Sequence, residues 1–250
     1  MVIKRAIVLA AGKGTRLGLL TQKTPKPLID LGGVTPLERV ITSLEKAGVE
    51  DVIINCSYLA DQIIEKVYTW QHENKFKCKL IISHEDEPLE TAGGIKKVLH
   101  HFKDEPFIIA NADIVWQGDL ASFVKTLTDH YNAEKMDFLL ALTPNQYSPK
   151  TGGDFKIQAD GQIRFLDKDE TSNYSYCGLS ISHPCAFANI GAGFTPLRTV
   201  WDLAIDAEMF YGFSASYAWI DMGTPAGLEK ARNVVKSEQG TSAKVLQFAR

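Results

Sequence analysis

Polar and apolar positions follow two periods along this chain, and the periods take turns. Ala6 to Leu9, Asp51 to Cys56, Lys79 to Ser83 and Phe107 to Ala110 are short runs dominated by apolar residues, and each reads as a buried strand. Between them the spacing becomes helical. Pro36 to Gly48 carries Leu37, Val40, Ile41 and Leu44 and stops at a glycine, while Ala60 to Gln71 carries Ile63, Ile64, Val67 and Trp70 on one face. Ile95 to Phe102 is again helical, and so is Leu120 to Tyr131, with Phe123, Val124 and Leu127. Strands and helices in alternation call for an α/β fold built on a doubly wound, mostly parallel sheet.

The pattern changes in the second half. Phe155 to Leu166 holds two short alternating runs around Asp160-Gly161, a hairpin signal. Tyr176 to Ser182 reads as a strand, Phe194 to Ala207 as a helix and Tyr217 to Asp221 as a strand. Thr224-Pro225 then opens a last helix with proline in its first turn. Beyond Lys236 the segment Ser-Glu-Gln-Gly-Thr-Ser is polar and is expected to fray. With no repeat, low-complexity tract or linker, residues 1–250 read as one domain. Its halves divide near residue 115, and a polar tail covers residues 237–250.

Composition narrows the chemistry. A net charge of −3 leaves no electrostatic footprint for nucleic acid. No apolar run approaches the roughly 18 residues that span a bilayer, so no membrane partner is expected. Lys4-Arg5 and the apolar run after it could open a signal peptide, but the run ends in Gly-Lys-Gly-Thr-Arg without a cleavage pattern. Cys56, Cys78, Cys177 and Cys185 lack C-x-x-C spacing and read as reduced thiols, which fits the cytoplasm. His72, His84, His100, His101, His130 and His183 show no metal spacing and read as structural or surface residues.

The first strand breaks into Ala11-Gly12-Lys13-Gly14-Thr15-Arg16, followed by Thr24-Pro25-Lys26-Pro27-Leu28. Glycines two apart let successive N–H groups face one concavity, an anion-binding nest, and Lys13, Arg16 and Lys26 add positive charge suited to a polyphosphate. The loop is not a dinucleotide fingerprint, because Gly18 falls one position late, and it is not a Walker loop. A solvated surface turn would explain the glycines, but not a lysine held stiffly between two prolines.

From Leu9 to Arg16 and Thr24 to Leu28 the chain resembles the sugar-1-phosphate nucleotidyltransferases, whose signature joins L-A-A-G-x-G-[S/T]-R to a P-K-P-L block. The resemblance implies a Rossmann-like nucleotidyltransferase fold with a small β-hairpin sugar-binding subregion. It also implies a nucleotide-binding half over about residues 1–115 and a sugar-binding half over about 116–236. Glu87-Pro88-Leu89-Glu90-Thr91-Ala92-Gly93-Gly94 corresponds to the loop that holds the nucleobase. Backbone groups at Ala92 and Gly93, carboxylates at Glu87 and Glu90 and the strand-end Asn111 are its candidate contacts. The same segment is open to a plainer reading, a helix start with acids placed well for the dipole.

Phe107 to Asp113 and Trp219-Ile220-Asp221-Met222-Gly223-Thr224 each put a carboxylate after a strand. The resemblance makes Asp113 and Asp221 the two ligands of Mg²⁺, and Ala112 departs from the family's glycine. Nothing in their spacing brings them together. Gly153, Asp154, Lys168 and Gly178 correspond to the sugar-binding region, where a hairpin with scattered charge is an equal reading.

The implied activity is Mg²⁺-dependent transfer of a nucleotidyl group from an NTP to a sugar 1-phosphate. Ala11, Gly12, Lys13, Gly14 and Thr15 would hold the triphosphate, Arg16 the leaving pyrophosphate and Lys26 both reacting phosphates. Guanine offers a carboxylate two adjacent donors and uracil only one, so the residues alone admit either base. The string Glu-Pro-Leu-Glu-Thr resembles the branch that uses UTP and N-acetylmuramate 1-phosphate in cell-wall recycling, which favours that pair. Mannose-1-phosphate guanylyl transfer, another sugar- or choline-phosphate substrate and a binding-only regulatory subunit remain alternatives. The chain is expected to act as a monomer or a homo-oligomer.

Overall fold

A computed structural model describes the backbone of residues 2–248 and the side chains of residues 2–240. In chain order it gives β1 (Arg5–Leu9), α1 (Leu19–Lys23), α2 (Pro36–Ala47), β2 (Asp51–Cys56), α3 (Ala60–His72), β3 (Lys79–His84), α4 (Glu90–Val98), β4 (Phe107–Asn111) and β5 (Ile114–Trp116). There follow α5 (Leu120–His130), β6 (Phe138–Pro144), β7 (Phe155–Ile157), β8 (Ile163–Phe165), β9 (Tyr174–Ser182), α6 (Leu197–Asp206), β10 (Phe210–Ser214), β11 (Trp219–Asp221) and α7 (Pro225–Phe248).

Seven strands form one sheet in the order β10-β6-β9-β4-β1-β2-β3, and only β9 runs against its neighbours β4 and β6. The sheet is therefore mostly parallel, and it is apolar on both faces. Because side chains alternate along a strand, Ala6 and Val8 of β1 join a core with Leu37, Val40, Ile41 and Leu44 of α2, with Ile63 and Val67 of α3 and with Phe123 of α5. Ile7 points the other way, toward Ile95 of α4 and Val200 and Ala204 of α6. Local signals set the helix ends. Thr35 Oγ1 accepts the Glu38 N–H at 3.2 Å ahead of Pro36, and Gly48 closes α2 in the left-handed region at φ 100°.

Several elements depart from the sequence reading. β6 is a central strand that the pattern did not mark, because no Gly or Pro separates its apolar run from the helix before it. β5 and β10 were likewise unmarked. α4 begins at Glu90, five residues before the expected Ile95, and so takes in Gly93 and Gly94. Both glycines sit against other chain segments: a Cβ on Gly93 would lie 2.1 Å from the Gly193 carbonyl, and one on Gly94 would lie 2.6 Å from Glu85 Oε1. α6 waits until Leu197, after Pro196.

The expected frayed tail is corrected as well. α7 continues to Phe248, held near its middle by Arg39 Nη1–Glu238 at 2.9 Å and by Gln239 donating to the Gly32 carbonyl at 3.1 Å. Residues 249–250 of that tail lie outside the described residues.

A third, smaller core lies under the glycine loop. Leu17 from the glycine loop, Ile29 and Leu31 after the Pro-Lys-Pro block, Val115 of β5, Ile220 of β11 and Leu228, Ala231 and Val235 of α7 pack together. Loop, lysine block and last helix are thus fastened to one short ribbon.

Candidate active site

The glycine loop is folded onto itself. Gly14 stands at φ 63°, and Thr21 Oγ1 donates to the Gly14 carbonyl at 3.0 Å. A Cβ on Gly14 would come within 3.1 Å of Thr21 Cγ2. The Leu17 N–H closes a tight turn on the Gly14 carbonyl at 3.0 Å, which leaves Gly12, Lys13, Thr15 and Arg16 exposed around the loop.

The strand ends bring together what the spacing could not. β11 pairs antiparallel with β5 so that Asp221 faces Ile114, and the Met222 N–H donates to the Asp113 carbonyl at 3.2 Å. Two carboxylates 108 positions apart are therefore neighbours. Each holds one of the expected cations: Lys26 Nζ lies 2.5 Å from Asp113 Oδ2, and Arg16 Nη2 lies 3.4 Å from Asp221 Oδ2. The pairs differ in character, since the Lys26 side chain is 8% exposed and that of Arg16 63% exposed. The first is fixed and the second is free to swing. Asp221 Oδ1 also accepts the Gly223 N–H at 2.7 Å, which orients the carboxylate. Ala112, in place of glycine, is buried outside the positive-φ region and donates to the Leu9 carbonyl at 3.1 Å, so the turn keeps its shape.

A cavity of about 450 Å³ opens beside Asp113. Ala11, Gly12 and Lys13 form its glycine-loop wall, Pro88, Glu90 and Thr91 the opposite wall, and Asn55, Glu85 and Asn111 line it further. Glu90 sits at φ 62°, unusual for a residue with a side chain. Glu87 is exposed and lies outside the lining. Of the backbone groups at Ala92 and Gly93 expected to meet a base, the N–H groups are engaged within the protein. Both donate to the Thr195 carbonyl, at 3.0 and 3.1 Å, and so tie α4 to the segment before α6.

Asn55 and Glu85 escaped the sequence reading. Their only signal is a polar residue at the carboxyl end of a parallel strand, the position where open α/β sheets bind ligands. Burial, with the Glu85 carboxylate next, pushes the nearby Cys56 thiol up to about 11, which removes it as a nucleophile at neutral pH.

On the other side of the carboxylates, Arg16, Tyr147, Lys150, Asp221 and Lys230 line a second cavity of about 800 Å³. Asp113 belongs to the first cavity and Asp221 to the second, so the pair stands where the two adjoin. The expected sugar-binding residues are placed less directly. Asp154 accepts from Lys150 Nζ at 2.9 Å and from the Tyr176 N–H at 3.0 Å, so its carboxylate is already engaged in holding the loop to β9. Gly153, at φ 72°, lets that loop press on residue 172, where a Cβ would meet the Ser172 carbonyl at 2.6 Å. Gly178 is buried at φ 78° and contacts Asn111 and Ile114. Lys168 is exposed after β8 and lines neither cavity. Lys150 and Lys230, which line the second cavity, are cations that the sequence reading missed.

Comparison with known proteins places nearly the whole chain. The family model described as nucleotidyl transferase matches residues 5–238. The chain is 32% identical over 226 residues to N-acetylmuramate alpha-1-phosphate uridylyltransferase of Caulobacter vibrioides, spanning 89% of this chain and 93% of that one. It is 29% identical to the catalytic subunit beta of mannose-1-phosphate guanylyltransferase of Drosophila pseudoobscura pseudoobscura, over 88% of this chain and 59% of that longer one. The inositol-1-phosphate CTP transferase from T. maritima has the same fold, with a TM-score of 0.76 at 20% identity over 94% of this chain and 96% of that one.

Proposed function

This chain belongs to the nucleotidyl transferase family, among the sugar-1-phosphate nucleotidyltransferases, and from that premise we propose that it transfers a uridylyl group from UTP to N-acetylmuramate 1-phosphate in cytoplasmic cell-wall recycling. The observation that carries the proposal is the double ion pair, Lys26–Asp113 and Arg16–Asp221, standing between two cavities. Among the described residues no helix is long and apolar enough to cross a membrane.

The donor set suits a hard divalent ion. Asp113 and Asp221 offer carboxylate oxygens from adjacent strand ends, and among the described residues no cluster of three or more His, Cys, Asp or Glu side chains encloses a site. Two protein carboxylates, with water and phosphate oxygens completing the shell, match Mg²⁺. Asp113 and Asp221 would hold such an ion, and it would supply charge that offsets the phosphates.

The protein's share is positioning and charge. The glycine loop and Lys13 hold the β- and γ-phosphates. Lys26, fixed by burial, faces the α-phosphate and the incoming sugar phosphate, and Arg16, free to swing, neutralises the departing pyrophosphate. A sugar-phosphate oxygen forms a bond to the α-phosphorus as the α–β bridging P–O bond breaks and pyrophosphate leaves with the electron pair. No general base is needed, because a phosphate monoester with a second pKa of about 6 is already mostly dianionic at pH 7. Such transfer rests on orientation and electrostatic stabilisation.

UTP is favoured by the 32% identity with the Caulobacter uridylyltransferase over nearly the whole of both chains. A guanylyl reading has its own support, since Glu90 lines the first cavity and guanine offers two adjacent donors to a carboxylate. The test is pyrophosphate release with Mg²⁺, crossing UTP, GTP, CTP and dTTP against the 1-phosphates of N-acetylmuramate, glucose, N-acetylglucosamine and mannose. Turnover confined to UTP with N-acetylmuramate 1-phosphate is the expected result. Another productive pair overturns the substrate assignment, and silence across the grid overturns the enzyme reading in favour of nucleotide-sugar binding alone.

A further inference from the structure

Asn55 and Glu85 are 3% and 2% exposed, yet both reach the first cavity. Buried polar side chains are kept where their hydrogen bonds are complete, and the bonds of this pair lead to opposite walls. Asn55 Oδ1 accepts the Ala10 N–H at 2.9 Å, at the root of the glycine loop. Asn55 Nδ2 donates to Glu85 Oε1 at 2.8 Å. Glu85 Oε2 accepts the Leu89 N–H at 3.2 Å, at the root of the wall formed by Pro88, Glu90 and Thr91. The chain of bonds runs from one wall to the other through two side chains, and the donor and acceptor order fixes which atom faces which.

Gly94 completes the fit. A Cβ there would stand 2.6 Å from Glu85 Oε1 and 3.0 Å from Asn55 Nδ2, so the carboxylate and amide occupy the space that any other residue would fill.

We propose that Asn55 and Glu85 are positioning residues: together they form a buried polar strut that sets the distance between the phosphate-binding loop and the base-lining wall, and so the affinity for the triphosphate. The proposal rests on the nucleotidyltransferase reading above.

A polarity swap tests it. Asn55→Asp alone sets a second carboxylate against Glu85 with no donor between them. Glu85→Gln alone gives the strut one acceptor for two facing donors, Asn55 Nδ2 and the Leu89 N–H. In the double variant every bond is restored at unchanged total charge: the new carboxylate at position 55 accepts from Ala10 and from the new amide at 85, whose carbonyl accepts from Leu89. Pyrophosphate release is followed with whichever triphosphate the wild type turns over, and thermal unfolding runs in parallel. Each single variant is expected to raise the triphosphate KM tenfold or more with a smaller fall in kcat. The double variant is expected to return KM to within threefold of wild type.

Where Asn55→Asp does not fold, Gly94→Ala replaces it, since it removes no polar group and presses on the Glu85 carboxylate first and the Asn55 amide second. It is expected to raise the same KM. Single variants with unchanged KM overturn the strut, as does a double variant whose Tm recovers while its KM stays high. A wild type that releases no pyrophosphate from any triphosphate overturns the functional reading instead, a distinct outcome.

Discussion

At the scale of single residues, the site is a matter of paired charges. Lys26 is almost fully buried against Asp113, and a buried ammonium without its counter-charge is costly. Asp113→Asn keeps the shape and removes the charge, so turnover is expected to fall by about two orders of magnitude or more, the usual loss for a positioned charge stabiliser. Steady-state pyrophosphate release, with circular dichroism to verify the fold, checks it; near-wild-type turnover would remove Asp113 from the site. Arg16, Lys26, Asp113 and Asp221 were singled out by the motifs that carry the family resemblance, and the structure joins them in two ion pairs. Asn55 and Glu85 were not singled out. A lone polar residue after an apolar strand is usually a cap or a turn residue, and only the three-dimensional contact between neighbouring strands shows that the two side chains meet.

At the scale of elements, the ribbon of β5 and β11 decides where the carboxylates stand, and β9 braces it. Gly178 in β9 approaches Ile114 so closely that a Cβ would lie 2.9 Å from Ile114 Cγ1, and its φ of 78° suits glycine. Gly178→Ala is therefore expected to destabilise the fold by roughly 1–3 kcal/mol and to lower activity with it. Denaturant unfolding measures the first effect, and unchanged stability would show that the ribbon yields. Thr35→Ala probes an element remote from the chemistry. Loss of the α2 cap is expected to cost about 1 kcal/mol and to leave kcat alone. Chemical denaturation and steady-state kinetics check both halves of that statement. α2, with clean periodicity and a cap at each end, was readable nearly to its ends, and α3 was readable from its periodicity alone. β5, β7 and β8 are three residues long, and the period of so short an element is barely defined. The Asp160-Gly161 turn between two short alternating runs gave the β7/β8 hairpin away.

At the scale of the whole molecule, the alternation of strand and helix sufficed to predict a doubly wound sheet, because a strand with apolar residues on both sides must be covered on both. What alternation does not contain is order. The insertion of antiparallel β9 between β4 and β6 depends on long-range pairing, as in Phe107 with Ser182 and Leu139 with Ile181. The same long-range closure bears on biosynthesis. Arg16 and Asp221 are 205 positions apart, and the core under the site is finished by α7. A ribosome releases Arg16, Lys26, Asn55, Glu85 and Asp113 long before it supplies the strand that carries Asp221. Most of the central sheet can assemble on the nascent chain while the acidic pair is still half made, so Asp113 and Asp221 become neighbours only after β11 has emerged and paired with β5.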